Sequence, residues 1–240
     1  MKNLIKAEWF KLSKSVGYKI LLLCNALSIL TSVLLRVAGA MSPGYEIFVI
    51  SLASILHHSV IGYLFAAVFI CSEFSNRTFG MSLLCGSSRK KVVLSKIITY
   101  LIGMTILFLV YVCATTLVMT VANGFGIGAK YIKEVVLLLL CGILGNMAIS
   151  SVIILVATIA KKTIATIGIG IGLTYASLWI ETTFRAKPLP FIKFVYTYQI
   201  GQLQSWGDSF SIGMFLAVIA VTIIVALLLA VTAFDRMELK

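Results

Sequence analysis

SEFSNRTFGMSLLCGSSRKKVVLSK, Ser72 to Lys96, separates two apolar stretches, Ile47–Cys71 and Ile97–Val121, neither of which contains an Asp, Glu, Lys or Arg. Polar residues come early in this island, an apolar patch sits in its middle, and Arg89, Lys90, Lys91 and Lys96 come late. It is too long for a tight turn and too apolar for a free linker. Such a pattern predicts a structured segment lying on a membrane surface, with something docked on it.

The composition agrees. Hydrophobic residues make up 60% of the 240, and the mean hydropathy is +1.08. Charged residues are 12%, where a soluble domain carries about a quarter. One soluble core does not need this much apolar surface, so lipid is the expected solvent. A net charge of +12 invites a nucleic-acid reading. The distribution argues against it, because the cations gather at the ends of apolar stretches, where headgroups and insertion rules account for them.

Six stretches are long enough to cross a bilayer as helices: Tyr18–Val37, Ile47–Cys71, Ile97–Val121, Val135–Ala160, Thr163–Ile180 and Ser211–Phe234. They lack the alternation of barrel strands. The expected fold is therefore all-α, a single polytopic membrane domain over residues 1–240. The fourth stretch is expected to tilt or bend at Gly142, Gly145 or Asn146. With the N-terminus in the cytoplasm, fourteen cations fall inside and six outside (Arg36, Lys130, Lys133, Arg185, Lys187 and Lys193). The positive-inside rule thus predicts both termini in the cytoplasm, with Ser72–Lys96 on the same side.

Residues 1–17 place Leu4, Ile5, Glu8, Trp9, Leu12 and Val16 at helical spacing among lysines, as expected of an interfacial amphipathic helix. Ala38-Gly39-Ala40 superficially fits a signal-cleavage site. The long basic region containing Trp9 and Phe10, and Arg36 within the apolar run, favour an uncleaved first span. Residues 181–210 mix Arg185, Lys187 and Lys193 with Phe191, Phe194, Tyr196, Tyr198 and Trp206, a density of aromatics suited to the membrane interface.

Signatures of chemistry are missing. No G-x-x-x-x-G-K-[ST] occurs, so no P-loop is present. Gly124, Gly126 and Gly128 do not form a dinucleotide fingerprint, and a flexible turn accounts for them. The five cysteines show no metal-site spacing. His57 and His58 are adjacent, so on a helix they point about 100° apart and do not readily share a metal. Near the middle of an apolar span they are candidates for a substrate cavity or for helix–helix hydrogen bonding. No acid lies well inside any span, which disfavours a buried carboxylate relay and favours power supplied from outside the chain.

The whole chain resembles the ABC-2 type permeases, the membrane subunits of ATP-driven exporters. The resemblance rests on the basic helix followed by six spans and on Glu73-Phe74-Ser75-Asn76-Arg77-Thr78 directly after the second span. It rests also on Gly86-Ser87-Ser88-Arg89 followed by Lys96, similar to the family's Ser-Arg…Lys pattern leading into the third span. Many members carry Pro before the Ser-Arg pair, where this chain has Cys85 and Gly86. The resemblance implies a cytoplasmic coupling helix within 72–96, with Glu73, Phe74, Asn76, Arg77, Thr78, Phe79, Leu83, Leu84 and Arg89 facing an ABC ATPase. It implies two ATPase copies, which bind the ATP and magnesium, and a second permease subunit, identical or related. It also implies short re-entrant or interfacial helices in 181–210, on the outer side. This chain itself would be no enzyme and would hold no cofactor. The apolar interior favours an amphipathic cargo: an antimicrobial or signalling peptide first, a lipid or hydrophobic drug next. The alternative is a membrane immunity or scaffold protein that binds a peptide without transporting it. Gly168 and Gly172 form a small-xxx-small pair suited equally to internal packing or to a subunit interface.

Overall fold

A computed structural model describes residues 2–37, 42–75, 88–126, 132–184, 190–206 and 210–235. Among them every regular element is helical. Helix α1 (Lys2–Lys14) leads into α2 (Val16–Val37), and α3 (Gly44–Leu52) is followed by α4 (Ile55–Ala66). A π-helical turn, Ala67–Cys71, carries α4 into the short α5 (Ser72–Ser75). Then come α6 (Arg89–Asn123), α7 (Ile132–Ala160) and α8 (Thr163–Phe184). A 3₁₀ turn (Pro190–Phe194), α9 (Tyr196–Gly201), another 3₁₀ turn (Gln202–Ser205) and α10 (Ile212–Asp235) complete the described chain.

Six of these segments are long and apolar enough to cross a membrane: Val16–Arg36, Ile55–Phe74, Lys90–Asn123, Ile132–Ala160, Thr163–Ile180 and Ile212–Phe234. They are apolar where they pack and also where they do not. On α10, Phe215 and Ile219 are buried while Val221, Ile224, Leu228 and Leu229 are at least half exposed. Lipid as the solvent makes that surface inexpensive.

The core forms around α4, which packs on α2, α6, α7 and α8. Tyr100 and Phe65 are fully buried there with rings stacked at 4.7 Å. The Tyr100 hydroxyl donates to the Gly62 carbonyl at 2.8 Å. Helix α7 runs as one continuous helix through Gly142, Gly145 and Asn146. Asn146 and Ser150, one turn apart on α7, are buried with no hydrogen-bond partner among the described residues.

Two expected boundaries differ. The stretch Ile47–Cys71 is not one helix. It breaks at Ala53–Ser54, so the crossing is made by Ile55–Phe74 and α3 is a separate helix. The Ser54 hydroxyl donates back to the Ile50 carbonyl at 2.8 Å, and the Ile55 amide turns to the Ala53 carbonyl. Backbone groups released inside a bilayer must find partners within the protein, and His58 Nε2 donates to the Ser51 carbonyl at 3.0 Å. The second difference concerns the late cations. Arg89 to Lys96 are the first two turns of α6, a helix of 35 residues, about 52 Å long and thus longer than the hydrocarbon core.

Within residues 181–210, α9 and its flanking 3₁₀ turns fold back against the bundle. Thr197, Tyr198, Gln199, Ile200 and Gly201 are buried, and α9 packs on α7, α8 and α10.

Candidate functional site

Where α4 ends, four charged side chains from three separate elements converge. Lys96 of α6 donates to Glu8 Oε2 at 2.9 Å and lies 2.5 Å from Glu73 Oε2. Lys11 reaches Glu8 Oε1 at 3.1 Å and Glu73 Oε1 at 3.9 Å. The two acids and two lysines balance. Glu8 and Lys96 are almost wholly buried, at 2% and 4% exposure, so neither is tolerable alone. The Lys96 ammonium also lies 5.3 Å from the centre of the Phe69 ring, within cation–π range.

Local folding explains each placement. On α1, Glu8 and Lys11 are neighbours at i,i+3, and Glu8 and Leu12 form the buried face while Trp9 and Phe10 point outward. Glu73 comes just after the π turn. One such turn inserts an extra residue relative to an α-helix, so the chain beyond it is rotated by about 100°. The π turn is held on two sides. The Cys71 thiol lies 3.1 Å from the Thr166 hydroxyl of α8. Val68 packs against Gly17 of α2 so closely that any side chain at residue 17 would collide with it.

Electrostatics makes the network sensitive to acid. Burial pushes the Glu8 carboxyl up, but Lys96 and then Lys11 outweigh it, and Glu8 rests below its ordinary 4.5. A carboxyl depressed in the folded state stabilises the fold above its unfolded pKa and loses that contribution as pH falls through the folded value. Acidification from pH 7 to about 4.5 should therefore leave the α1 contact intact, and further acidification below the ordinary carboxylate range should release it. The emission of Trp9, in a Trp179→Phe, Trp206→Phe background, followed across the acid titration, reads that release as a change absent between pH 7 and about 4.5.

Of the residues expected to face an ATPase, Glu73 and Phe74 lie on α5. The Phe74 ring packs 5.6 Å from that of Phe234 at the end of α10. Arg89 opens α6. Asn76, Arg77, Thr78, Phe79, Leu83 and Leu84 fall outside the described residues. Glu8 was legible only as one member of a helical pattern. Its partnership with Lys96, 88 residues away, leaves no local trace.

His57 and His58 sit elsewhere, at the start of α4. His57 stacks on Tyr111 at 3.8 Å and meets Asn25 Oδ1 at 3.0 Å. Asn25 Nδ2 donates to the Leu107 carbonyl, so Oδ1 must accept and His57 Nε2 carries the proton. This ties α2, α4 and α6 together. His58 closes the break between α3 and α4. Neither histidine lines the clefts between α4 and α8, between α3 and Trp206, or between α3 and α6. Among the described residues there is no group of three or more His, Cys, Asp or Glu able to hold a metal.

Six apolar crossings, a charged helix at one end and ions joining that helix to the second and third crossings define a polytopic membrane protein. Residues 4–177 match the family described as ABC-2 family transporter protein. The chain belongs to that family, and is a membrane component of the transport apparatus, with an ABC ATPase as the family's general partner. No curated protein matches the chain.

Proposed function

We propose that this chain is the permease subunit of an ATP-driven exporter in a bacterial cell membrane, with both termini cytoplasmic. Two permease subunits and two ATPase subunits form the working unit, and the cargo is amphipathic: a peptide first, a lipid or hydrophobic drug next. The segment from Glu73 to Leu84 docks on the ATPase, and Arg89 contributes at its far edge. His57 and His58 stand close to the pathway, His57 being half-buried where α2, α4 and α6 meet.

The observation that carries this reading is the clasp on Glu73. The residue that opens the docking segment is bonded to α6 through Lys96 and lies against α1 through Lys11. A pull on the segment by a closing motor therefore reaches a surface helix and a membrane-crossing helix together. The distribution of cations supports the topology. The open face of Gly168 and Gly172, where a Cβ would meet no described residue within 4 Å beyond its own stretch of helix, supports pairing with a second subunit.

The test is energy-dependent efflux from cells expressing the chain with its ATPase. Glu73→Ala with Phe79→Ala should lower efflux at least tenfold and prevent co-purification of the ATPase, while membrane levels of the permease hold. Wild-type efflux in that double variant would refute the docking assignment.

A further inference from the structure

At the end of the bundle farthest from the ion network, an open cleft of about 350 Å³ lies between α3 and the segment after α9. It is lined by Tyr45, Glu46, Val49, Ile50, Gln204 and Trp206. Its place is fixed by α6. Lys96 is near one end of that helix, and Thr120, against which Gly44 packs, is near the other, about 36 Å further along the axis. We propose that this cleft binds an organic ammonium group, with the Glu46 carboxylate as counter-charge and Tyr45 and Trp206 as aromatic walls.

The chemistry of the lining selects the ligand. Glu46 is exposed and makes no ion pair with any described residue. It is not spent on capping its own helix. The first amides of α3 are taken by loop carbonyls, Gly44 N–H by Gly124 and Tyr45 N–H by Phe125, each at 3.0 Å. Both aromatic walls are braced from behind. Tyr45 meets Phe125 edge-on at 6.2 Å, and Trp206 lies 4.8 Å from Phe210. Burial first, and the Glu134 carboxylate second, hold the Tyr45 hydroxyl above its usual range, so that ring stays neutral. No lysine or arginine is among the lining residues. A single carboxylate is too few for a metal ion, and it repels anions. A carboxylate beside aromatic faces suits a weakly hydrated alkylammonium, which the ring quadrupoles attract. The volume falls in the range of small-ligand sites. In the proposed transport cycle the cleft faces outward and receives the cationic head of an amphipathic cargo. That step rests on the export reading, whereas binding does not.

Binding is read in the full-length permease without any ATPase, so loss of the docking assignment leaves the result untouched. In a Trp9→Phe, Trp179→Phe background, Trp206 is the sole tryptophan. Its emission is titrated with choline, with ethanolamine, and with 3,3-dimethylbutan-1-ol, the uncharged isostere of choline. A saturable response to choline or ethanolamine that the isostere does not produce is expected. Glu46→Gln should weaken it at least tenfold, and Tyr45→Leu several-fold. An equal response to the isostere, no saturable response to either amine, or an unchanged response in Glu46→Gln overturns the proposal.

Discussion

Lys96→Met should lower the thermal midpoint of the purified protein by roughly 6–20 °C, the equivalent of about 3–5 kcal/mol for breaking a buried ion pair at ~2–4 °C per kcal/mol. The methionine fills the space of the lysine stem but leaves Glu8 and Glu73 facing each other. Glu8 is at 2% exposure, and Lys11, whose side chain is 53% exposed, is too well hydrated to neutralise both acids. Lys91→Met, on the exposed side of the same helix, should change stability by no more than about 0.5 kcal/mol. The decisive arm restores neutrality. Adding Glu8→Gln and Glu73→Gln to Lys96→Met removes the orphaned charges, and stability should return to within about 1–2 kcal/mol of wild type, because a whole buried network is often replaceable at little net cost. If the restored protein is stable but no longer exports, the network transmits force. If it both folds and exports, the ions serve assembly alone.

The six crossings were legible because long apolar runs bounded by cations have one economical solution in lipid. The break in the second run was harder to see. No proline or glycine marks it, and the only local signals are Ser51, Ser54 and His58 in an otherwise apolar context, each of which makes a hydrogen bond there. Glu73 was marked by its place directly after the span. Lys96 as the shared partner was not, because which lysine meets which acid depends on how α1 lies against α6. The π turn left no sequence mark either. It depends on contacts from α2 and α8 that form only in the packed bundle.

The glycines of α8 show the same division and lead to the second large effect. Gly168, Gly170 and Gly172 alternate in sequence, and the spacing alone singles out Gly168 and Gly172 as a close-packing pair. In the structure those two face open space. It is Gly170, between them, that is buried, and a side chain there would run into the Cγ and Cδ atoms of the Tyr63 ring on α4. A rigid ring cannot yield as the tip of a lysine can, so α4 and α8 would have to separate. Gly170→Ala should cost about 1–3 kcal/mol as an overpacked core position, and Gly170→Leu should prevent accumulation of folded protein. Gly168→Ala and Gly172→Ala should leave stability within about 1 kcal/mol of wild type, since a Cβ at either position meets no described residue beyond its own stretch of helix. Their effect is expected in assembly. If the open face of α8 meets a second permease subunit, Gly168→Leu with Gly172→Leu should shift the protein from dimer to monomer in size-exclusion chromatography with light scattering, with the fold intact. An unchanged dimer would move the subunit interface to another exposed crossing, such as α2 or α10.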